Sequence, residues 1–198
     1  MWLFEQCVEE WRRERPGLTY EDITDACLAA GENRTYLNVC DPYLRMEHSS
    51  MTEAVRSYCR STGQRPPVSM GELANCVFDS IVLQALWSFR EIRQITGQTR
   101  YAGLTAIGGG VRNRLLIQRL ADALNIPVTT GSELSSAIGN VLMQLYATGE
   151  LADFRAIQQA AQGSISSETF YPRAHTAAKW EEALLVLKHI DEMKGIWR

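Results

Sequence analysis

The feature that most limits what this chain can fold into is where its strands can be. Across 198 residues, two short stretches, "LTAI" at 104–107 and "IPVTT" at 126–130, have strand character, and both lie after residue 100. Between them a helix is predicted over 112–124, with Leu115, Leu116, Leu120, Ala123 and Leu124 on one stripe. Strand, helix, strand in this order argues for parallel pairing through a right-handed crossover. Two strands of four or five residues make a poor sheet, because parallel sheets need several neighbours and both faces covered. The sequence therefore predicts a helix-rich α/β chain whose sheet is incomplete.

The first hundred residues read as helix after helix. Leu3, Phe4, Cys7, Val8 and Trp11 recur at helical spacing over 2–15, closed by Pro16-Gly17. "TYED" at 19–22 is a capping box that opens a second helix through Ile23, Ala26, Cys27 and Ala30. Residues 31–50 read as a long loop containing Pro42, and Met51, Ala54, Val55 and Tyr58 mark a third helix that ends at Gly63. "SMGE" at 69–72 is another capping box; the helix behind it runs to Thr96, is apolar nearly all round and is expected to be central and buried. After the second strand, helices are expected over about 133–148 and then twice more, the last carrying Trp180, Leu184, Leu187 and Ile190.

Charge excludes some partners. The net charge is -3, with acidic and basic residues dispersed, so no basic surface calls for nucleic acid or anionic lipid. No run approaches a membrane span, and the start "MWLFEQCVEEW" meets acid within five positions, unlike a secretory signal; the expected location is cytoplasmic. Cys7, Cys27, Cys40, Cys59 and Cys76 are widely spaced with no CxxC, so neither zinc nor any other metal site is expected. Cys59 and Cys76 are placed to approach one another, as free thiols in a reducing compartment.

Gly108, Gly109 and Gly110 follow the first strand. A P-loop is excluded, because "GGGVRN" lacks both its glycine spacing and its Lys-Ser/Thr. A dinucleotide fingerprint does not fit either, since Val111, Arg112 and Asn113 stand where its spacers and last glycine belong. Two readings remain open. The triplet is a plain strand-to-helix turn, or it is a shelf of bare peptide planes on which a purine or ribose lies, with the amides of the helix from Arg112 pointing at it.

The segment "AIGGGVRNRLLIQRLADALNIPV" resembles the adenosine motif of the carbohydrate kinases of the FGGY family. "SSAIGNVLMQLYATGEL" resembles the following helix of that family, where Gly139-Asn140 is expected to permit close packing, and "FYPRAHTAAKWEEALLVLKHI" resembles its closing segment. In the first half, "MWLFEQCVEEW", the "DPYL" loop and "MTEAVRSYCRSTGQRPPVSMGELANCVFDSIVLQALWSFREI" are similar to the rhamnulokinase branch.

The resemblance implies an incomplete C-terminal domain of the actin-like ATPase, ribonuclease H-like fold, with residues 1–100 as its helical part and 101–198 as its nucleotide-binding strand and helix part. It implies a parent reaction in which Mg-ATP phosphorylates the primary hydroxyl of a ketose, L-rhamnulose to rhamnulose 1-phosphate. The implied ligands are ATP or ADP with Mg2+, and the ketose in the complete enzyme. By the same resemblance, Gly108, Gly109, Gly110, Asn113 and Glu5 are the candidate ATP contacts. The general-base aspartate and the phosphate loops of the family have no counterpart here, so no catalytic residue is assigned and the chain alone is expected to be inactive. A separate N-terminal lobe or a homodimer mate is the expected partner, and an interaction module or split-enzyme subunit is the alternative reading. Glu133 stands one position before the usual acid of the family. Asp41 lies in a loop, His175 and His189 read as surface or capping residues, and Arg112 is placed to meet an anion while Arg114 and Arg119 form a solvated face.

Overall fold

A computed structural model describes residues 1–163 and 167–194. In chain order its elements are α1 Trp2–Glu14, α2 Tyr20–Ala29, α3 Pro42–Arg45, α4 Met51–Ser61, α5 Met70–Thr96, β1 Leu104–Ala106, a 3-10 turn Gly109–Arg112, α6 Arg114–Leu124, β2 Val128–Thr130, α7 Ser135–Ala147, α8 Phe154–Gly163, β3 Thr169–Phe170 and α9 Ala177–Lys194. They form two compact units, Met1–Gly97 with the chain from Ala174 onward, and Gln98–Arg173. The first unit holds α1–α5 and α9, and the second holds β1–β3 with α6–α8.

In the first unit both capping boxes form. Thr19 Oγ1 accepts from the Asp22 amide at 3.1 Å while Asp22 Oδ2 accepts from the Thr19 amide at 2.9 Å, and Ser69 with Glu72 repeats the exchange. The apolar stripes land as their periodicity dictates. Leu3, Phe4, Cys7, Val8 and Trp11 of α1 and Trp180, Leu184, Leu187 and Ile190 of α9 are buried. The buried residues of helix α5 fall between Gly71 and Phe89, continuous from Leu73 to Ser80, and its last turns are open, with Ile95 81% exposed. Residues 31–50 are more ordered than a loop: Asp41 caps the short helix α3 by accepting from the Tyr43 amide at 2.8 Å, with Pro42 at its first position. The preceding turn is stitched inward, since Asn38 Nδ2 donates to Asp191 Oδ1 of α9 at 2.8 Å and the Leu37 amide donates to Ser80 Oγ at 2.8 Å. Among the described residues no buried side-chain nitrogen or oxygen lacks a hydrogen bond.

Helix α4 starts on a carboxylate from another helix. Glu10 of α1 accepts from the Met51 and Thr52 amides, from Thr52 Oγ1 at 2.8 Å and from Ser50 Oγ at 3.0 Å. Burial pushes the Glu10 carboxyl upward, but these donors outweigh it and hold the group below its ordinary value. A lowered folded value means the stabilisation is present above the unfolded value of 4.5 and is lost as pH falls through the folded one. Glu10→Gln is therefore expected to cost about 1–2 kcal/mol at pH 7. Urea melts of both proteins should show this gap closing as the solution is acidified below pH 4.5.

The second unit is built on a three-stranded sheet in the order β1-β2-β3. β1 pairs parallel with β2, Leu104 facing Val128, and α6 makes the crossover. β3 pairs antiparallel with β2, Val128 facing Phe170, and was not expected; two residues carry too little pattern to be read as a strand. It is flanked by Arg114, which stays 69% exposed as expected while forming an ion pair with Glu168 and lying 5.2 Å over the Phe170 ring. Of the expected α6 stripe, Leu116, Ala123 and Leu124 are buried and Leu115 and Leu120 half-buried, while Ile117 and Ala121 are buried beside them. Among the described residues no helix is long and apolar enough to cross a membrane.

Candidate functional site

The carboxyl ends of β1 and β2 lie side by side, and the loops leaving them form a rim. The Gly131 amide donates to the Ala106 carbonyl at 2.7 Å, extending the ladder past β2, and the Gly108 amide faces the Ser132 carbonyl at 3.4 Å. Gly108 leaves β1 with φ +87°, a conformation that suits glycine. The chain then closes into the 3-10 turn, with the Val111 amide donating to the Gly108 carbonyl and the Asn113 amide to the Gly110 carbonyl, both at 3.1 Å. Helix α6 begins at Arg114, two residues later than expected, so the glycines form a turn ahead of the helix and not a flat continuation of the strand.

The space over this turn is open. A Cβ built on Gly108 or on Gly109 meets no atom within 4 Å, so the missing side chains leave backbone exposed to whatever approaches. Asn113 caps α6, its Oδ1 accepting from the Leu116 amide at 2.9 Å. Arg112 turns back over the rim to form an ion pair with Glu133, which straps the glycine turn to the loop before α7. That pairing gives Glu133 a structural role and places a carboxylate beside the arginine that was expected to meet an anion.

The remaining candidates stand elsewhere. Glu5 belongs to the first unit, where its Oε2 accepts from Tyr20 Oη at 2.8 Å; burial, then this carboxylate, raises the Tyr20 hydroxyl above its ordinary value. The structure brings Gly108, Gly109, Gly110 and Asn113 together in one turn and holds Glu5 in the other unit. Asp41 is a helix cap, and His175 and His189 are exposed. Cys7, Cys27, Cys59 and Cys76 are buried free thiols; burial pushes Cys76 up, and Cys59 hydrogen-bonds to it. No group of three His, Cys, Asp or Glu side chains among the described residues is placed to hold a metal ion. Gly139 of α7 does not serve close packing: a Cβ there meets nothing within 4 Å. The pairing of Arg112 with Glu133 was not legible in the sequence, since 21 residues separate them and neither carries a motif.

Comparison with known proteins gives this geometry a context. Residues 1–148 match the profile of the FGGY family of carbohydrate kinases, C-terminal domain. The chain is 32% identical over 189 residues to a rhamnulokinase of Bacteroides thetaiotaomicron, covering 96% of this chain and 37% of that protein. It is 35% identical over 173 residues to a rhamnulokinase of Enterococcus faecalis, covering 86% and 34% respectively. It thus spans little more than a third of the length of the curated relatives it matches. Among solved structures, xylulose kinase from Rhodospirillum rubrum superposes with a TM-score of 0.62 at 16% identity, over 96% of this chain and 37% of that one. Gluconate kinase from Lactobacillus acidophilus gives 0.59 at 17%, over 93% and 37%. The helix-rich α/β architecture is that of the C-terminal domain of the actin-like ATPase fold as these kinases carry it. Profile, relatives and fold agree, and the chain belongs to the FGGY family of carbohydrate kinases.

Proposed function

We propose that this chain is the C-terminal, ATP-binding portion of a rhamnulokinase-like sugar kinase and supplies the nucleoside half of the ATP site. The observation that carries the reading is the open backbone at Gly108 and Gly109, at the carboxyl end of a parallel strand in a chain that matches this family. Adenine and ribose lie against Gly108, Gly109 and Gly110. Asn113 offers its side-chain Nδ2 group, since its oxygen is taken by the α6 cap. In the complete enzyme ATP arrives with Mg2+ and gives its terminal phosphoryl group to L-rhamnulose, forming rhamnulose 1-phosphate. The described residues hold no ligand set for the metal, and no step is assigned to it within this chain.

Phosphoryl transfer also requires a carboxylate in reach of the attacking hydroxyl and donors around the phosphates. The resemblance assigns neither to this chain, so on this reading it turns over no sugar alone. Each charge-assisted hydrogen bond to a phosphate is worth roughly 1.5–3 kcal/mol. Without three of them the complex loses about 4 kcal/mol or more, roughly a thousandfold in affinity. ATP therefore binds this chain in the millimolar range.

The test has two parts. Purified chain mixed with L-rhamnulose and Mg-ATP should release no ADP in a coupled assay, and sustained release would contradict the claim of inactivity. In a titration followed by amide NMR, adenosine and ATP should shift the resonances of Gly108 to Asn113, and Gly109→Leu should abolish those shifts. Because a Cβ at 109 meets open space, the stability of that variant should stay within about 0.5 kcal/mol of the parent. Unchanged shifts in the variant, or tight binding of NAD in preference to ATP, would remove the shelf as the nucleoside site.

A further inference from the structure

Two segments of the first unit, the chain before α3 and the link between α4 and α5, are stitched together. The Tyr36 amide donates to Gln64 Oε1 and Gln64 Nε2 donates back to the Tyr36 carbonyl, both at 2.8 Å. One residue earlier, Thr35 Oγ1 donates to the Arg65 carbonyl at 3.1 Å. Pro66 and Pro67 stiffen the second segment, because proline fixes φ. Arg34 and Arg65 are thereby set on adjoining stretches of backbone, and both line one cavity of about 390 Å³. That is room for a small metabolite.

The other polar side chains of the cavity wall are engaged. Asn33 and Gln64 bond to the backbone at Thr35 and Tyr36, and Asn75 Nδ2 donates to the Cys27 carbonyl at 2.7 Å. Glu32 pairs with Lys179 of α9 at 3.4 Å. Glu72 accepts from the Val68 and Ser69 amides, which hold its carboxyl below its ordinary value; Arg65 adds the smallest contribution and forms no ion pair with it. Neither Arg34 nor Arg65 has an ion pair or a side-chain hydrogen bond to a described residue. Two guanidinium groups thus share one wall with no carboxylate bound to either, and such a pair attracts an anion.

We propose that this cavity binds a small phosphate monoester, with the phosphoryl group held between Arg34 and Arg65. A monoester carries close to two negative charges at neutral pH, and each guanidinium fork matches a pair of phosphate oxygens. Adjoining backbone suits one doubly charged group better than a dicarboxylate, whose charges stand several bonds apart. Ala30, Pro66, Pro67 and Val186 give the same cavity an apolar portion for the carbon skeleton of the ester. The site uses none of the residues assigned to the nucleoside and does not depend on that assignment.

The experiment titrates the full chain with glucose 6-phosphate, inorganic phosphate and succinate at constant ionic strength, followed by NMR. Glucose 6-phosphate should saturably shift the Nε–H resonances of Arg34 and Arg65 and the amides of 33–36 and 64–65, with a Kd of about 1 mM or below. Inorganic phosphate should act at the same resonances more weakly, and succinate at least about tenfold more weakly. Arg34→Gln and Arg65→Gln should each weaken glucose 6-phosphate at least about tenfold. Since neither guanidinium is paired within the fold, both variants should melt at the parent temperature or above it in phosphate-free buffer. They should also lose most of the rise in melting temperature that glucose 6-phosphate gives the parent. Absence of a saturable shift at these residues below about 10 mM overturns the site. Succinate or inorganic phosphate binding as tightly as glucose 6-phosphate overturns the assignment to an ester. A lower melting temperature in either variant with glucose 6-phosphate affinity unchanged shows the arginines to be structural and overturns the proposal.

Discussion

Gly71→Ala is expected to unfold the first unit at temperatures where the parent is fully native. A Cβ at this position would lie 2.0 Å from the carbonyl oxygen of Ala26, 2.5 Å from its carbonyl carbon and 3.1 Å from the amide nitrogen of Cys27. All three are backbone atoms of α2, so no side chain can rotate away. The two helices are also anchored where they meet. α2 begins on the Thr19 capping box and α5 on the Ser69 box one turn from Gly71, and Asn75 Nδ2 donates to the Cys27 carbonyl at 2.7 Å. Relieving the clash means moving α2 off α5 and leaving buried Asn75 short of its acceptor. The expected loss is about 3–5 kcal/mol, at the upper end of overpacking. In a protein of this size that is a fall in melting temperature of about 10 °C or more. Gly139→Ala is the matched control: nothing lies within 4 Å of the new Cβ, and helix propensity favours alanine by about 1 kcal/mol. Circular dichroism melts of the two variants should move in opposite directions. A loss below 1 kcal/mol at Gly71 would show that the helices do not approach so closely.

Arg173→Ala should be the most damaging change in the second unit. The Asp122 side chain is 1% exposed, and its carboxylate accepts from Arg173 Nη2 at 2.6 Å, Arg173 Nε at 3.0 Å, the Arg173 amide at 2.8 Å and Gln118 Nε2 at 3.0 Å. Removing the guanidinium leaves a buried carboxylate with two neutral donors. Breaking a fully buried pair from one side costs about 3–5 kcal/mol. Arg173 is itself 61% exposed, so water can partly replace it, and about 2–3 kcal/mol is expected. Asp122→Asn in the Arg173→Ala background should recover part of this by removing the stranded charge, with a coupling of about 1–2 kcal/mol in the double-mutant cycle. The same loss should speed hydrogen exchange at Thr169 and Phe170, because this pair and the bond from Gln118 Nε2 to the Tyr171 carbonyl tie the end of β3 to α6. Additive effects in the cycle would show that the carboxylate is not held as described.

The two unexpected ion pairs of the second unit make the same physical point. Arg112, which reads as placed to meet an anion, pairs with Glu133 across the rim, and Arg114, which reads as solvated and stays exposed, also pairs with Glu168 beside β3. Their partners lie 21 and 54 residues away, beyond the reach of any periodicity. The candidate site was legible to the extent that it is local: glycines, the asparagine cap and the strand before them are contiguous. Its rim was not, because a surface carboxylate has no pattern that names its partner.

Helix starts at Thr19 and Ser69, the buried stripes of α1 and α9, the parallel pairing of "LTAI" with "IPVTT" and the family itself were determined by sequence alone, since each depends on residues within a few turns of one another or on a long ordered run of motifs. Tertiary structure alone decided that Gly71 is a crossing point, that Asp41 is a cap, that a two-residue strand joins the sheet beside β2 and that most of α7 is exposed. Those outcomes depend on which distant segment supplies a backbone, a charge or a cover, and a one-dimensional pattern records the need for such a neighbour without recording its place.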